Sequence, residues 1–201
     1  MKYRRGEISL AIFTLFYLIA FALYFIRTRN NEFLLYVGVV VMVFVLMFAT
    51  LHRAKFSYPV LAGMSLWGLF HMAGGGLVVK GEVLYSLHLI PIVDLGEEMF
   101  ILKFDQAVHF WGFGVTTLLA YDLLRHYLND RSNYAVVYPL LVLIGMGLGS
   151  LNEIVEFFAV LAFPATGVGG YGNTSLDMVF NSLGAIAAVI IIHFKRSAAS
   201  K

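Results

Sequence analysis

Apolar runs of membrane length, nearly free of charge, follow one another along the whole chain. A helix needs roughly 20 mainly apolar residues to cross the hydrocarbon core of a bilayer. Residues 8–26 and 33–51 are uncharged runs of that size. Residues 59–79 form a third, interrupted by His71, and residues 105–124 a fourth, polar in its first turn and at Asp122. Residues 135–163 contain Glu153 and Glu156, and residues 176–194 contain Asp177 and Asn181. Charged residues make up 13% of the chain, against about 25% in a soluble domain, so one water-soluble core has no way to hide this much apolar surface. The expected fold is all-α: a polytopic transmembrane bundle of about six spanning helices, one integral membrane domain over residues 1–201, in a cell membrane.

Charge supplies the orientation. The N-terminus, the 51–58 loop, the 125–133 loop and the C-terminal tail hold ten of the fourteen Lys and Arg residues, leaving Arg27, Arg29, Lys80 and Lys103 for the alternate connections. The positive-inside bias then places both termini in the cytoplasm. The first run is too long for a signal peptide and lacks a small-residue cleavage site, which predicts an uncleaved helix. A net charge of +2 with no basic run gives no footing for nucleic acid. Without cysteine there is no disulfide and no thiolate ligand. The connection 80–104 is the long one, and its apolar stretch 83–92 is too short to cross, which predicts an interfacial or re-entrant segment on the outer face. The stretch 164–174 reads as an uncharged outer loop, with Asn173-Thr174-Ser175 fitting a glycosylation sequon.

The informative residues are those foreign to hydrocarbon. With alternating helix directions, His71, the pair Asp105 and His109, the pair Glu153 and Glu156, and the pair Asp177 and Asn181 all fall in the outer half of the membrane. Residues three or four apart share a helix face, and small residues continue those faces: Gly68 and Gly75 around His71, Gly112 and Thr116 after His109, Gly149 before Glu153, Gly184 after Asn181. Small residues let membrane helices approach, so that polar ones meet inside the bundle. A charge at the centre of a spanning helix costs roughly 2.5–3.5 kcal/mol on insertion scales, so these carboxylates are expected to face inward. No Lys or Arg stands at their depth in the last four runs. A divalent metal, zinc or another transition metal, is the economical counter-charge, because bundles build metal sites from His and carboxylates on facing helices. The expected ligands are His71, Asp105, His109 and Asp177; Glu153 and Glu156 are the expected catalytic carboxylates; Asn181, Asn152 and Gly184 support them. Asp94, Glu97 and Glu98 are expected in the outer loop. Asp122, Arg125, His126, Asp130 and Arg131 read as a cytoplasmic charged turn, and His52, His88 and His193 as interfacial residues.

The runs Phe104-Asp105-Gln106-Ala107-Val108-His109-Phe110, Asn152-Glu153-Ile154-Val155-Glu156 and Asn173-Thr174-Ser175-Leu176-Asp177-Met178-Val179-Phe180-Asn181-Ser182-Leu183-Gly184-Ala185 resemble the YjdF-type family of inner-membrane proteins of unknown function, over most of the chain from about His71 onward. The pattern is also distantly similar to VanZ-like proteins, through D-x3-H on one helix, acidic or amide residues on a second and D-x3-N-x2-G on a third. That likeness implies envelope or lipid chemistry around Asp105, His109, Glu153, Glu156, Asp177, Asn181 and Gly184.

Three functions compete. One is a metal-dependent hydrolase or transferase acting on a lipid or lipid-linked envelope substrate, where the metal activates water and polarises an ester, amide or phosphoryl group and Glu153 or Glu156 is general base. The second is a small ion- or proton-coupled transporter, although no inverted repeat accompanies it. The third is a non-catalytic module whose polar core fixes helix packing. The bilayer is the expected partner in each.

Overall fold

The computed structural model describes residues 4–94, 100–129 and 131–199. Expectations for Glu97, Glu98 and Asp130 lie outside the described residues, as do those for the side chains of His52 and Asp94. Six long helices follow in chain order among the described residues: α1 (Arg5–Thr28), α2 (Asn31–Ala54), α3 (Tyr58–Gly76), α4 (Phe104–Leu124), α5 (Tyr134–Ala162) and α6 (Tyr171–Ala199). By length and composition α1, α2, α4, α5 and α6 can each cross a membrane. The remaining helix, α3, has 19 residues and is about 28 Å long at 1.5 Å per residue. It meets protein rather than lipid, with eleven of its residues buried, and an interior helix has no need of a continuous apolar surface. The all-α bundle expected from the apolar runs is the fold observed.

Local chemistry sets the helix limits. Asn30 caps α2 by accepting the Phe33 N–H at 3.0 Å, and Asn133 caps α5 by accepting the Ala135 N–H at 3.1 Å, each satisfying an orphan donor of a first turn. The glycine run Gly74-Gly75-Gly76 closes α3 three residues short of the expected end. The opposite difference occurs at α6, which starts at Tyr171 rather than 176. Asn173 is therefore helical, where an outer loop was expected.

Cross-helix pairs show that neighbours in sequence alternate in direction. Gly75 of α3 lies against Phe33 of α2, and Gly68 against Phe44. Gly63 of α3 lies against Val115 of α4, and Gly145 of α5 against Thr117 of α4. The alternation makes α1 run parallel to α3, with Gly6 beside Tyr58 and Gly76 beside Phe21 and Phe25. It likewise makes α4 run parallel to α6, with Gly114 against Gly184. Tyr17, Phe25, Phe33, Tyr36 and Met72 fill one core cluster, and Met47, Phe56, Met64 and Val115 another.

Two antiparallel hairpins occupy one end of the bundle. Val78–Val79 (β1) pairs with Glu82–Val83 (β2), and His88–Asp94 (β3) with Phe100–Lys103 (β4). Lys80 and Gly81 both have positive φ, 55° and 91°, the tight turn that suits strand twist. The stretch 83–92 thus supplies strand and a 3-10 turn, and it exposes Leu89, Ile90 and Ile92. Val and Ile stiffen at χ1 and fit a pleated surface, which is why this apolar piece pairs with strands instead of winding into a helix. The opposite end carries Arg5, Lys55, Arg125 and Lys195 and is called the basic end below.

The basic end holds a correction to the charged turn. Asp122 is buried, 4% exposed; its Oδ2 accepts the Ser57 N–H at 2.8 Å at the start of α3, and its Oδ1 lies 3.4 Å from Arg125 Nε. Arg125 donates to the Lys55 carbonyl at 2.7 Å, and His126 meets the Ala54 carbonyl at 2.7 Å. The group ties the end of α4 to the α2–α3 connection.

Candidate metal centre

Three helices bring their polar faces together near the hairpin end. Gly184 sets the approach of α4 and α6: a Cβ there would collide with the Phe110 carbonyl and stand 2.9 Å from Gly114 N. Backbones this close place Asp105 and His109 of α4 beside Asp177 and Asn181 of α6, one to two turns above the contact. Gly149 performs the same service for α5, since a Cβ on it would meet the Asn181 side chain at 2.7 Å. Glu153 and Glu156, on the next turn, then reach His109.

His109 is the hub and is 7% exposed. Its Nε2 lies 3.5 Å from Asp105 Oδ1 and its Nδ1 3.7 Å from Glu153 Oε1. Nδ1 is also 3.0 Å from Asn181 Oδ1. Ligand atoms of Asp105, His109 and Asp177 lie within 4.8 Å of one another, and so do those of His109, Glu153 and Glu156. The two groups share the imidazole.

Asn173 arranges the first group. Its Nδ2 donates to Asp177 Oδ2 at 2.7 Å and to Asp105 Oδ2 at 3.3 Å, so the Oδ1 atoms remain free of that amide. Asn152 plays a similar part in the second group, donating to Glu156 Oε1 at 2.8 Å. Sequence reasoning missed Asn173 as a site residue and read it as a sequon. The available signal was the spacing Asn173, Asp177, Asn181, one polar residue per turn on one face of α6.

The hydrogen bonding is incomplete. Both Glu153 oxygens, Asp177 Oδ1 and Asn181 Nδ2 are buried with no hydrogen-bond partner among the described residues. Ion pairs that reach the four carboxylates among those residues come from His109, and even a doubly protonated imidazole offsets one of four negative charges. An unpaired buried charge costs several kcal/mol even after relaxation, so this donor set fits a cation. Its make-up, one imidazole with carboxylates, suits a transition metal such as zinc or manganese.

His71 stands apart from both groups. Its ring stacks on Trp67 with centroids 5.7 Å apart, lies near Phe33 and Tyr36, and hydrogen-bonds through Nδ1 to the Tyr85 hydroxyl. Burial, reinforced by the nearby Asp105 charge, pushes the Tyr85 phenol well up, so the hydroxyl keeps its proton. His71 and His109 face each other across a cavity of about 10 Å³ lined also by Trp67, Val108, Phe113 and Asn152. That is close to the space one water needs. The larger groove, about 550 Å³ between α1 and α2, is lined almost wholly by apolar side chains in the half of the bundle toward the basic end.

A family model described as a predicted membrane protein, DUF2238, matches residues 9–198. The chain belongs to the DUF2238 family. All the residues of the centre fall inside the matched range of this DUF2238 protein. Neither the search of curated proteins nor the search of solved structures gives a match.

Proposed function

We propose that this DUF2238 protein is an intramembrane, divalent-metal-dependent hydrolase or transferase acting on a lipid or lipid-linked envelope substrate at the extracytoplasmic side of the cell membrane. One observation carries the reading: buried, unpartnered carboxylate oxygens of Glu153 and Asp177 converge on His109 from two different helices. The YjdF-type resemblance is read as this same family, and the VanZ-like pattern supports the envelope setting. The positive-inside rule puts the basic end in the cytoplasm, hence the centre toward the outer leaflet.

A divalent ion at such a centre supplies a Lewis acid and an acidified water. The residues do the rest. Asp105, His109 and Asp177 would hold the ion, with Asn173 fixing the Oδ2 atoms of both aspartates. Glu156, turned by Asn152, presents its other oxygen as proton acceptor. His71 is not a ligand in this arrangement; held by its hydrogen bond to Tyr85, it walls the water-sized cavity next to His109. The reactant that fits there in this conformation is water, which favours hydrolysis.

The test is metal analysis of the protein purified in detergent, beside His109→Ala, followed by reconstitution into phosphatidylethanolamine and phosphatidylglycerol vesicles with mass spectrometry of the lipids. Bound metal that is lost in His109→Ala, together with metal-dependent release of lipid fragments, supports the reading. Metal flux across the vesicles without lipid products would make the protein a carrier. A metal-free wild type would leave a packing module and end the proposal.

A further inference from the structure

We infer that the centre holds two divalent ions, one against each nitrogen of His109, which then bridges them as an imidazolate after its ring proton is released to solvent on binding. This rests on the metal reading above and adds to it a second ion and a division of the ligands. The imidazole separates two compartments. On the Nε2 side stands Asp105 Oδ1 at 3.5 Å, with Asp177 as the third member of that group. On the Nδ1 side stand Asn181 Oδ1 at 3.0 Å and Glu153 Oε1 at 3.7 Å. A tetrahedral ion with bonds of about 2.0–2.1 Å holds its ligand atoms about 3.4 Å apart, and these separations lie around that value.

Each compartment has its own unsatisfied, buried oxygens. Asp177, 1% exposed, leaves Oδ1 without a partner on the first side. The Glu153 side chain, 9% exposed, leaves both oxygens without a partner on the second. One ion beside Nε2 satisfies Asp177 and leaves Glu153 bare; one beside Nδ1 does the reverse. Two divalent ions bring four positive charges against five negative ones, from Asp105, Glu153, Glu156 and Asp177 when ionised and from the bridging imidazolate, which leaves one in excess; a single ion beside a neutral imidazole leaves two. The amides fall on both sides as well. Asn173 holds Oδ2 of both aspartates, so that Oδ1 is the ligating atom, and Asn152, which lies beside both glutamates, makes its 2.8 Å hydrogen bond to Glu156, which favours Glu153 as the ligand and Glu156 as the proton acceptor.

The experiment is equilibrium dialysis of the full chain in detergent against Mn²⁺, with metal counted per chain and the electron paramagnetic resonance spectrum recorded on the frozen sample. The wild type is expected to bind two Mn²⁺ with a spectrum broadened by coupling between them. Asp177→Asn and Glu153→Gln are each expected to bind one, with the resolved six-line spectrum of an isolated ion. One uncoupled Mn²⁺ per wild-type chain would overturn the second ion and leave the single-metal reading standing; none would overturn both. Loss of both ions in either variant, with helix content and elution volume unchanged, would overturn the division of ligands. If a variant fails to fold, the wild-type count and coupling decide alone.

Discussion

Asn173 clamps one carboxylate oxygen from each of two helices with a single amide nitrogen, so its removal loosens both proposed ligands without deleting either. Partners of this kind, one step out from a metal, are typically worth 10–100-fold in affinity. Asn173→Ala is expected to weaken metal binding by about that factor in a chelator competition, with helix content by circular dichroism unchanged. The sequence concealed this role because an amide beside a glycine-rich stretch has the composition of a loop, and only the start of α6 at Tyr171 makes it helical. That Asp105, His109, Glu153, Glu156, Asp177 and Asn181 come together was legible because depth and i,i+3 or i,i+4 spacing are both counted along the chain. Depth says nothing of rotation about a helix axis, so His71 has the right height yet turns into Trp67, Tyr36 and Tyr85. Asp122 was legible as part of a charged turn with Arg125, but its burial and its acceptor role to Ser57 depend on a helix start far along the chain and were not. Asp122→Ala should leave the Ser57 N–H without its acceptor and Arg125 Nε without its carboxylate, costing about 1–3 kcal/mol as a lowered melting temperature in detergent, with metal content unaltered.

Helix spacing is where sequence and packing part company. The stripe Gly112 and Thr116 was visible next to His109, but Gly112 receives Trp67 of α3 and Thr116 reaches Met64 Sδ. The close approach that builds the centre is made by Gly184, which the spacing after Asn181 marked, against Gly114, which lies off that stripe. Membrane helices gain from such contacts because small residues let backbones pack and polar groups meet. Gly184→Ala must push α4 and α6 apart, since a new methyl would strike the Phe110 carbonyl and Gly114 N, which are backbone atoms. Overpacking of this kind typically costs 1–3 kcal/mol, and the separation is felt by Asp105, His109, Asp177 and Asn181 together. The expected result is a lower melting temperature and weaker metal binding at once. Gly147 provides the contrast, because nothing lies within 4 Å of a Cβ built there. Gly147→Ala is expected to be neutral or to stabilise by up to about 1 kcal/mol through helix propensity, without any change in metal. If both alanines behave alike, glycine content rather than this contact governs the bundle.

At the scale of the whole molecule, the two ends differ in kind: hairpins and the polar centre at one, most of the arginines and lysines at the other. Which end meets the cytoplasm decides where a substrate must come from, and the chain lends itself to a direct answer because it has no cysteine. Tyr171, 89% exposed, starts α6 at the hairpin end, and Tyr127, 85% exposed, follows α4 at the basic end. A cysteine at either place adds one thiol to a chain that otherwise has none, and neither tyrosine packs in the core. The positive-inside bias leads to a definite pattern with a membrane-impermeant maleimide. Tyr171→Cys should label in intact cells, and Tyr127→Cys should label once the membrane is permeabilised. The reverse pattern would turn the bundle over, and the centre around His109 would then open toward the cytoplasmic leaflet. An envelope substrate would have no route to it, so the lipid reading would fail while the proposed metal centre, which depends on packing alone, would stand.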